Sequence, residues 1–157
     1  MRGRLTGVDF SQGMLDEARR RVGPNVELLK QDARALSFQS AFELVTSAGA
    51  FGHFVGKDED ALLDGIHRAL VRGGRFVFLT SPMPARTSPA FWLASGFNAA
   101  MHVRNALVQP PFIMFYLTFT WPEARPTLER FGFTVSARDG LVEGRGSRIV
   151  AVTATRR

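Results

Sequence analysis

Two acids and one histidine are the residues whose placement could do chemistry. Asp9 closes the short apolar run "RLTGVD" (4–9), and a turn and a helix follow at once. Asp32 closes a second such run, "VELLKQD" (26–32). An acid at the end of an apolar run, just before a helix, belongs in a nucleotide site. Such sites also need a glycine-rich phosphate or carboxylate loop upstream, and only eight residues precede Asp9. His53 follows the small-residue run "SAGA" (47–50). An imidazole titrates near working pH, so His53 could take a proton from a reacting hydroxyl; it could equally orient its loop.

Composition removes several alternatives. The chain has 157 residues and no cysteine, which excludes disulfides, thiolate nucleophiles and Cys-ligated zinc. No metal site is read. The net charge is +6 and the pI about 11.1, almost all of it from arginine. The arginines are scattered, which describes a solvated surface better than a nucleic-acid groove, so nucleic acid is not an expected partner. "MRGRLTGVDF" has no apolar h-region, so no signal peptide is expected and a cytoplasmic location is. The longest apolar stretch, "ALVQPPFIMFYLTFTW" (106–121), is broken by Gln109, Pro110 and Pro111. Its uninterrupted part falls short of the ~20 residues that cross a bilayer.

The elements that must position these residues alternate. A strand at 4–9 precedes a helix with Ser11 as N-cap and Met14, Leu15, Ala18 and Val22 at helical spacing; Gly23-Pro24 ends it. Strands follow at 26–32 and 42–51, with a loop or short helix between Asp32 and Phe42. A helix is predicted over 58–74, acidic in its first turn and stopped by Gly73-Gly74. "RFVFLTS" (75–81) reads as a strand buried on both faces. The order β-α-β-β-α-β argues a doubly wound, mostly parallel α/β sheet. After residues 82–120, in which 90–108 should be helical, come a helix at 122–133 and two strands, 133–140 and 147–155. These two should form an antiparallel hairpin.

The stretches "GVDFSQGMLDEAR", "VELLKQDARAL", "FELVTSAGAFGHF" and "ALVRGGRFVFLTS" resemble, in order and spacing, the class I S-adenosylmethionine-dependent methyltransferases, most closely the methyltransferase-11-like branch. The resemblance covers nearly the whole chain outside 82–120. It implies a single Rossmann-like domain: a cofactor-side half (1–81), an apolar cap (82–120), and a C-terminal helix and hairpin (121–157). It also implies S-adenosylmethionine as cofactor and methyl transfer to a small acceptor, a hydrophobic one being one reading of the apolar cap. Asp9 then matches the acid that accepts from ribose hydroxyls, a role compatible with capping the next helix. Asp32 and Ala33 match the position beside adenine, although Asp32 could also be a turn acid. Phe10 and Met14 could pack on the adenosine or belong to the core. Ser47 and Ala48, with Gly49, match the place where cofactor and acceptor approach, and His53 matches the start of the acceptor-side loop, as a candidate catalytic base. Methyl transfer needs no dedicated base, because positioning supplies much of the rate.

Two motif-like stretches fail on context. "QPPF" (109–112) resembles a motif of nucleic-acid amino methyltransferases, but lies far from the strand end where that motif belongs. "EGRGS" (143–147) leads into a strand, not a helix. The family's glycine-rich loop should sit about 20 residues before the ribose acid, which places it before Met1. The expectation is a domain lacking its first strand, glycine loop and first helix, and binding cofactor weakly or not at all. An in-frame Asp-x-Gly-x-Gly coding stretch upstream would mean a longer enzyme. In the family's strand order, 3-2-1-4-5-7-6, the lost strand is central. Strand 4–9 would then pair with 42–48, take a strand from another chain, or keep a loose edge.

In 82–120, Phe91, Trp92, Phe97, Met101, Phe112, Met114, Phe115 and Tyr116 make an apolar surface. It suits a lid over a hydrophobic acceptor, a packing layer or oligomer interface, or shallow membrane contact with Arg86 and Arg104 near headgroups. The alternative to an enzyme is a non-catalytic α/β interaction module or a shortened gene product.

Overall fold

Strand and helix alternate as the periodicity predicts. The computed structural model describes residues 3–109, 114–138 and 149–157. Within them the chain forms β1 (Leu5–Asp9), α1 (Gln12–Arg21), β2 (Val26–Lys30), β3 (Phe42–Ala48), α2 (Lys57–Ala69), β4 (Leu70–Thr80), α3 (Pro89–Leu107), α4 (Ala124–Arg130), β5 (Phe133–Arg138) and β6 (Val150–Arg156). Two 3-10 turns, Ala33–Ala35 and Ala50–His53, follow β2 and β3. Ser11 caps α1, its Oγ accepting from the Met14 N–H at 3.4 Å. Ser88 caps α3 in the same way, with Pro89 at the first helical position.

One boundary differs from the prediction. Instead of running to Gly73-Gly74, α2 ends at Ala69, and β4 starts at Leu70. The glycine pair is spent on an irregularity inside the β3–β4 ladder, where pairing jumps from Phe42↔Leu70 to Leu44↔Arg75. Gly73 adopts φ +75°, and a Cβ on Gly74 would stand 2.8 Å from the Val71 carbonyl oxygen. Composition alone cannot tell a glycine helix stop from a glycine bulge.

The strands form a parallel pair, β1-β2, and a four-stranded sheet in the order β3-β4-β6-β5. In the latter β3 and β4 are parallel, and β6 runs antiparallel to both neighbours. β1 does not pair with β3. Among the described residues, no strand lies on the β1 edge away from β2 or on the β3 edge away from β4.

The core lies on one face of the four-stranded sheet. Phe76 and Phe78 of β4, Phe133 of β5 and Val150, Val152 and Ala154 of β6 meet Leu62, Leu63 and Ile66 of α2 and Leu128 of α4. Each phenylalanine buried there contributes about 1.5–3 kcal/mol relative to exposure. The other face is thinner. Leu79 is 45% exposed and Leu44 51% exposed, so β4 is not buried on both sides as its apolar run suggested. In the β1–α1–β2 unit, Leu15 is the one fully buried apolar side chain among the described residues. The unit meets the main core through the first 3-10 turn. There Ala33 and Leu36 pack against the core, with Leu36 close over Gly65 of α2.

Candidate cofactor site

Asp9 ends β1, half-buried, and its Oδ1 accepts from the Ser11 N–H at 2.7 Å. It therefore holds the turn that starts α1, while Oδ2 has no partner among the described residues. Phe10, next in the chain, and Met14, in the first turn of α1, are 75% and 59% exposed, so neither is core. β2 brings the second acid alongside: Asp9 pairs with Lys30, and the Gln31 N–H donates to the Asp9 carbonyl at 3.1 Å. Asp32 and Ala33 come next in the chain.

Asp32 is already engaged. It caps the first 3-10 turn, its Oδ1 accepting from the Arg34 N–H at 2.9 Å, and the Arg34 guanidinium lies on the same carboxylate at 2.6 Å. These hydrogen bonds, first the side-chain one, hold Asp32 below the usual carboxylate range. Arg34 also reaches Asp58 in the first turn of α2, at 3.2 Å, and between two carboxylates its own pKa is raised. Both pairs are solvent-accessible and screened, so they orient the turn more than they stabilise it. Sequence reasoning missed Arg34, because its second partner lies 24 residues away.

Ser47 and Ala48 end β3, the first half-buried and the second exposed. Gly49 turns the chain with φ +74° into the second 3-10 turn, which ends at an exposed His53. This turn is locked from above. The Phe115 N–H donates to the Gly52 carbonyl at 2.8 Å, and the Thr118 hydroxyl to the Phe51 carbonyl at 3.1 Å. The Phe51 ring stacks on Phe119 at 4.0 Å and leans on Phe78 at 5.1 Å. Leu117 and Phe119 sit at φ 59° and 51°, a left-handed conformation that costs energy for side chains of this size. It is held by the Thr118 bonds and by the Thr80 hydroxyl, which donates to the Phe119 carbonyl at 2.9 Å. Residues 115–120 are thus part core, with Phe115, Phe119 and Thr120 buried.

The same segment anchors α3. The side chain of Asn98 brackets the Tyr116 backbone, donating to its carbonyl at 2.6 Å and accepting from its N–H at 2.8 Å. Phe97 meets Tyr116 edge-on, and His102 stacks on Phe115. The cover is rooted at the carboxyl ends of β3 and β4, where ligands bind in open α/β sheets. The predicted residues thus fall into two groups. Asp9, Phe10, Met14, Asp32 and Ala33 are brought together by β1 and β2; Ser47, Ala48 and His53 follow β3. Phe112, "QPPF" beyond Gln109, and "EGRGS" lie outside the described residues.

Residues 1–74 match the family model of a methyltransferase domain. A curated relative, the ubiquinone/menaquinone biosynthesis C-methyltransferase of Desulfotalea psychrophila, is 38% identical over 89 residues, which are 54% of this chain and 35% of that protein. A possible exported protein of Bordetella parapertussis superposes with a TM-score of 0.67 at 25% identity, over 98% of this chain and 53% of that one. The Burkholderia thailandensis 1,6-didemethyltoxoflavin-N1-methyltransferase, solved with its acceptor and S-adenosylhomocysteine, gives a TM-score of 0.68 at 19% identity, over 98% and 61%. The first half of the chain is thus similar to a methyltransferase domain, and the chain as a whole shares the fold of solved methyltransferases. It spans about a third of that curated relative and about half of the Bordetella protein.

Were S-adenosylmethionine bound at this end of the strands, the residues present would suit its adenosine part. Asp9 Oδ2, without a partner among the described residues, can accept from hydroxyls, and Phe10 and Met14 nearby in the chain are exposed. Asp32 fits less simply, since an adenine amine there would share the carboxylate with the Arg34 guanidinium. No helix among the described residues is long and apolar enough to cross a membrane.

Proposed function

We propose that this chain supports S-adenosylmethionine-dependent methyl transfer to a small, apolar acceptor. The observation that carries the reading is Asp9: a half-buried acid at the carboxyl end of β1, one oxygen spent on the α1 turn and the other open. The cofactor, when bound, supplies an electrophilic methyl group on a sulfonium. In this reading Asp9 holds the ribose, Phe10 and Met14 flank the adenosine, and Asp32 and Ala33 border the adenine. Ser47 and Ala48 leave room for donor and acceptor to approach. His53 would take the proton when the acceptor carries a hydroxyl. The segment 82–120 covers the acceptor, with the rings of Phe97 and Phe115 on its protein-facing side. The quinone-pathway relative and the toxoflavin-type enzyme support a small organic acceptor by their own names.

The test is a titration with S-adenosylhomocysteine followed by amide NMR. Binding should be weak, in the millimolar range (about 4 kcal/mol), because the described residues supply only the adenosine side. Shifts should gather at Asp9, Phe10, Met14, Ala33, Ser47 and Ala48. Asp9→Asn keeps the capping oxygen and should weaken binding roughly tenfold or more, as expected for loss of a charged acceptor. Shifts at none of these amides would favour the non-catalytic module. Micromolar binding would show that the adenosine side suffices.

A further inference from the structure

We infer that the outward face of α3 rests on a lipid bilayer with anionic headgroups. The inference concerns the outside of the cover and stands apart from the methyl-transfer reading.

α3 has 19 residues and none is buried. Its protein-facing side is nevertheless docked, through Asn98, Phe97 and His102. The exposed side is therefore not the mark of a helix that has failed to pack. That side carries Trp92 at 66%, Leu93 at 78%, Val103 at 61% and Leu107 at 79% exposure. Between them lie Gly96, Ala99, Ala100 and Ala106, all exposed. The stripe from Trp92 to Leu107 runs for about 24 Å at the rise of an α-helix. A contiguous exposed apolar stripe of this length marks a surface that meets another apolar phase.

Charge selects the occupant. All 14 acids of the chain lie in 1–64 or 123–157, and residues 65–122 hold none. Within the cover itself the charged side chains are Arg86, exposed just before α3, and Arg104 in its last turn. A second copy docked stripe to stripe would set α3 against α3, each carrying Arg104 and neither a carboxylate. An anionic headgroup layer offers the opposite charge, and each arginine near it adds attraction. Trp92 has the ring that favours the boundary between headgroup and acyl chain. The helix would lie in the plane of the surface, as amphipathic segments with one apolar side do.

Flotation of the full chain through a density gradient tests this. The vesicles are phosphatidylcholine alone, or phosphatidylcholine with phosphatidylglycerol, at low and high salt. The chain should float with the anionic vesicles, roughly tenfold more than with the neutral ones at low salt, and less at high salt. Trp92→Glu with Leu107→Glu should abolish flotation. Both side chains are exposed, so the urea midpoint and circular dichroism should stay as in the parent. In a Trp121→Phe background, Trp92 emission should shift to the blue on anionic vesicles. Failure to float on either vesicle, or equal flotation of the double variant, overturns the inference. So does a lipid-free dimer that the double variant dissociates, since the face would then belong to a second copy.

Discussion

The four-stranded sheet and the β1–α1–β2 unit are built to different standards. Against the sheet, Phe51, Phe76, Phe78 and Phe119 meet within one buried cluster, and α2 and α4 close over it. In the β1–α1–β2 unit, Leu15 alone is fully buried, and the residues with most to offer a ligand, Asp9, Phe10 and Met14, stand at its surface. Stability resides in one region and candidate chemistry in the other. A site that must open to a cofactor is drawn from the less stable part of a domain.

Substitutions can break that contrast. Phe78→Ala should cost about 3–5 kcal/mol, seen as a lower urea midpoint of the main transition. If the loss is under about 1 kcal/mol, the cluster is not the seat of stability described above. Leu15→Ala removes a comparably buried side chain and should cost about 2–5 kcal/mol locally. Hydrogen exchange should then speed up through β1, α1 and β2, while β4 and β6 stay protected. Uniform loss of protection would mean that the two regions unfold as one. The smallest effect concerns His67 of α2, which lies edge-on to Phe133 at 5.2 Å. Burial, and then the charge of Arg156, lower its pKa, with Asp64 opposing. The folded state therefore binds the proton less readily than the unfolded one. This contribution is present above the ordinary imidazole range and is lost as pH falls through the lowered folded-state value. The urea midpoint should drop as pH is lowered through that window, and His67→Gln should flatten the slope.

Local signals in the sequence were strong where one element answers to one pattern. The cap at Ser11, the apolar spacing of α2 and the strand runs need no distant partner to take effect. The parts that escaped depend on distance. Gly73-Gly74 looks like a helix stop until β3 is known to pair across it. The run "RFVFLTS" reads as buried on both sides, yet only the side facing α2 and α4 is well covered. Arg34 joins Asp32 to Asp58 across two elements, and Asn98 finds its partner in a backbone 18 residues on. In the candidate site, the acids were visible because each ends a strand. The support of the second 3-10 turn by Phe115 and Thr118 had no sequence signature.

The meeting of Gly52 with Phe115 bears on how such a domain can be re-engineered. A Cβ on residue 52 would come within 3.1 Å of the Phe115 carbonyl oxygen, while the Phe115 N–H is bonded back to residue 52. Floor and roof of the candidate acceptor site are thus spliced through one backbone contact. A cover transplanted from another domain of this fold must bring its own equivalent of 115–120, or the graft will also move the floor. The natural seams for such a chimera lie after Ser81 and before Trp121, where the two flanks already run together. Cutting instead at the end of α3 would divide the roof from the residues that seat it.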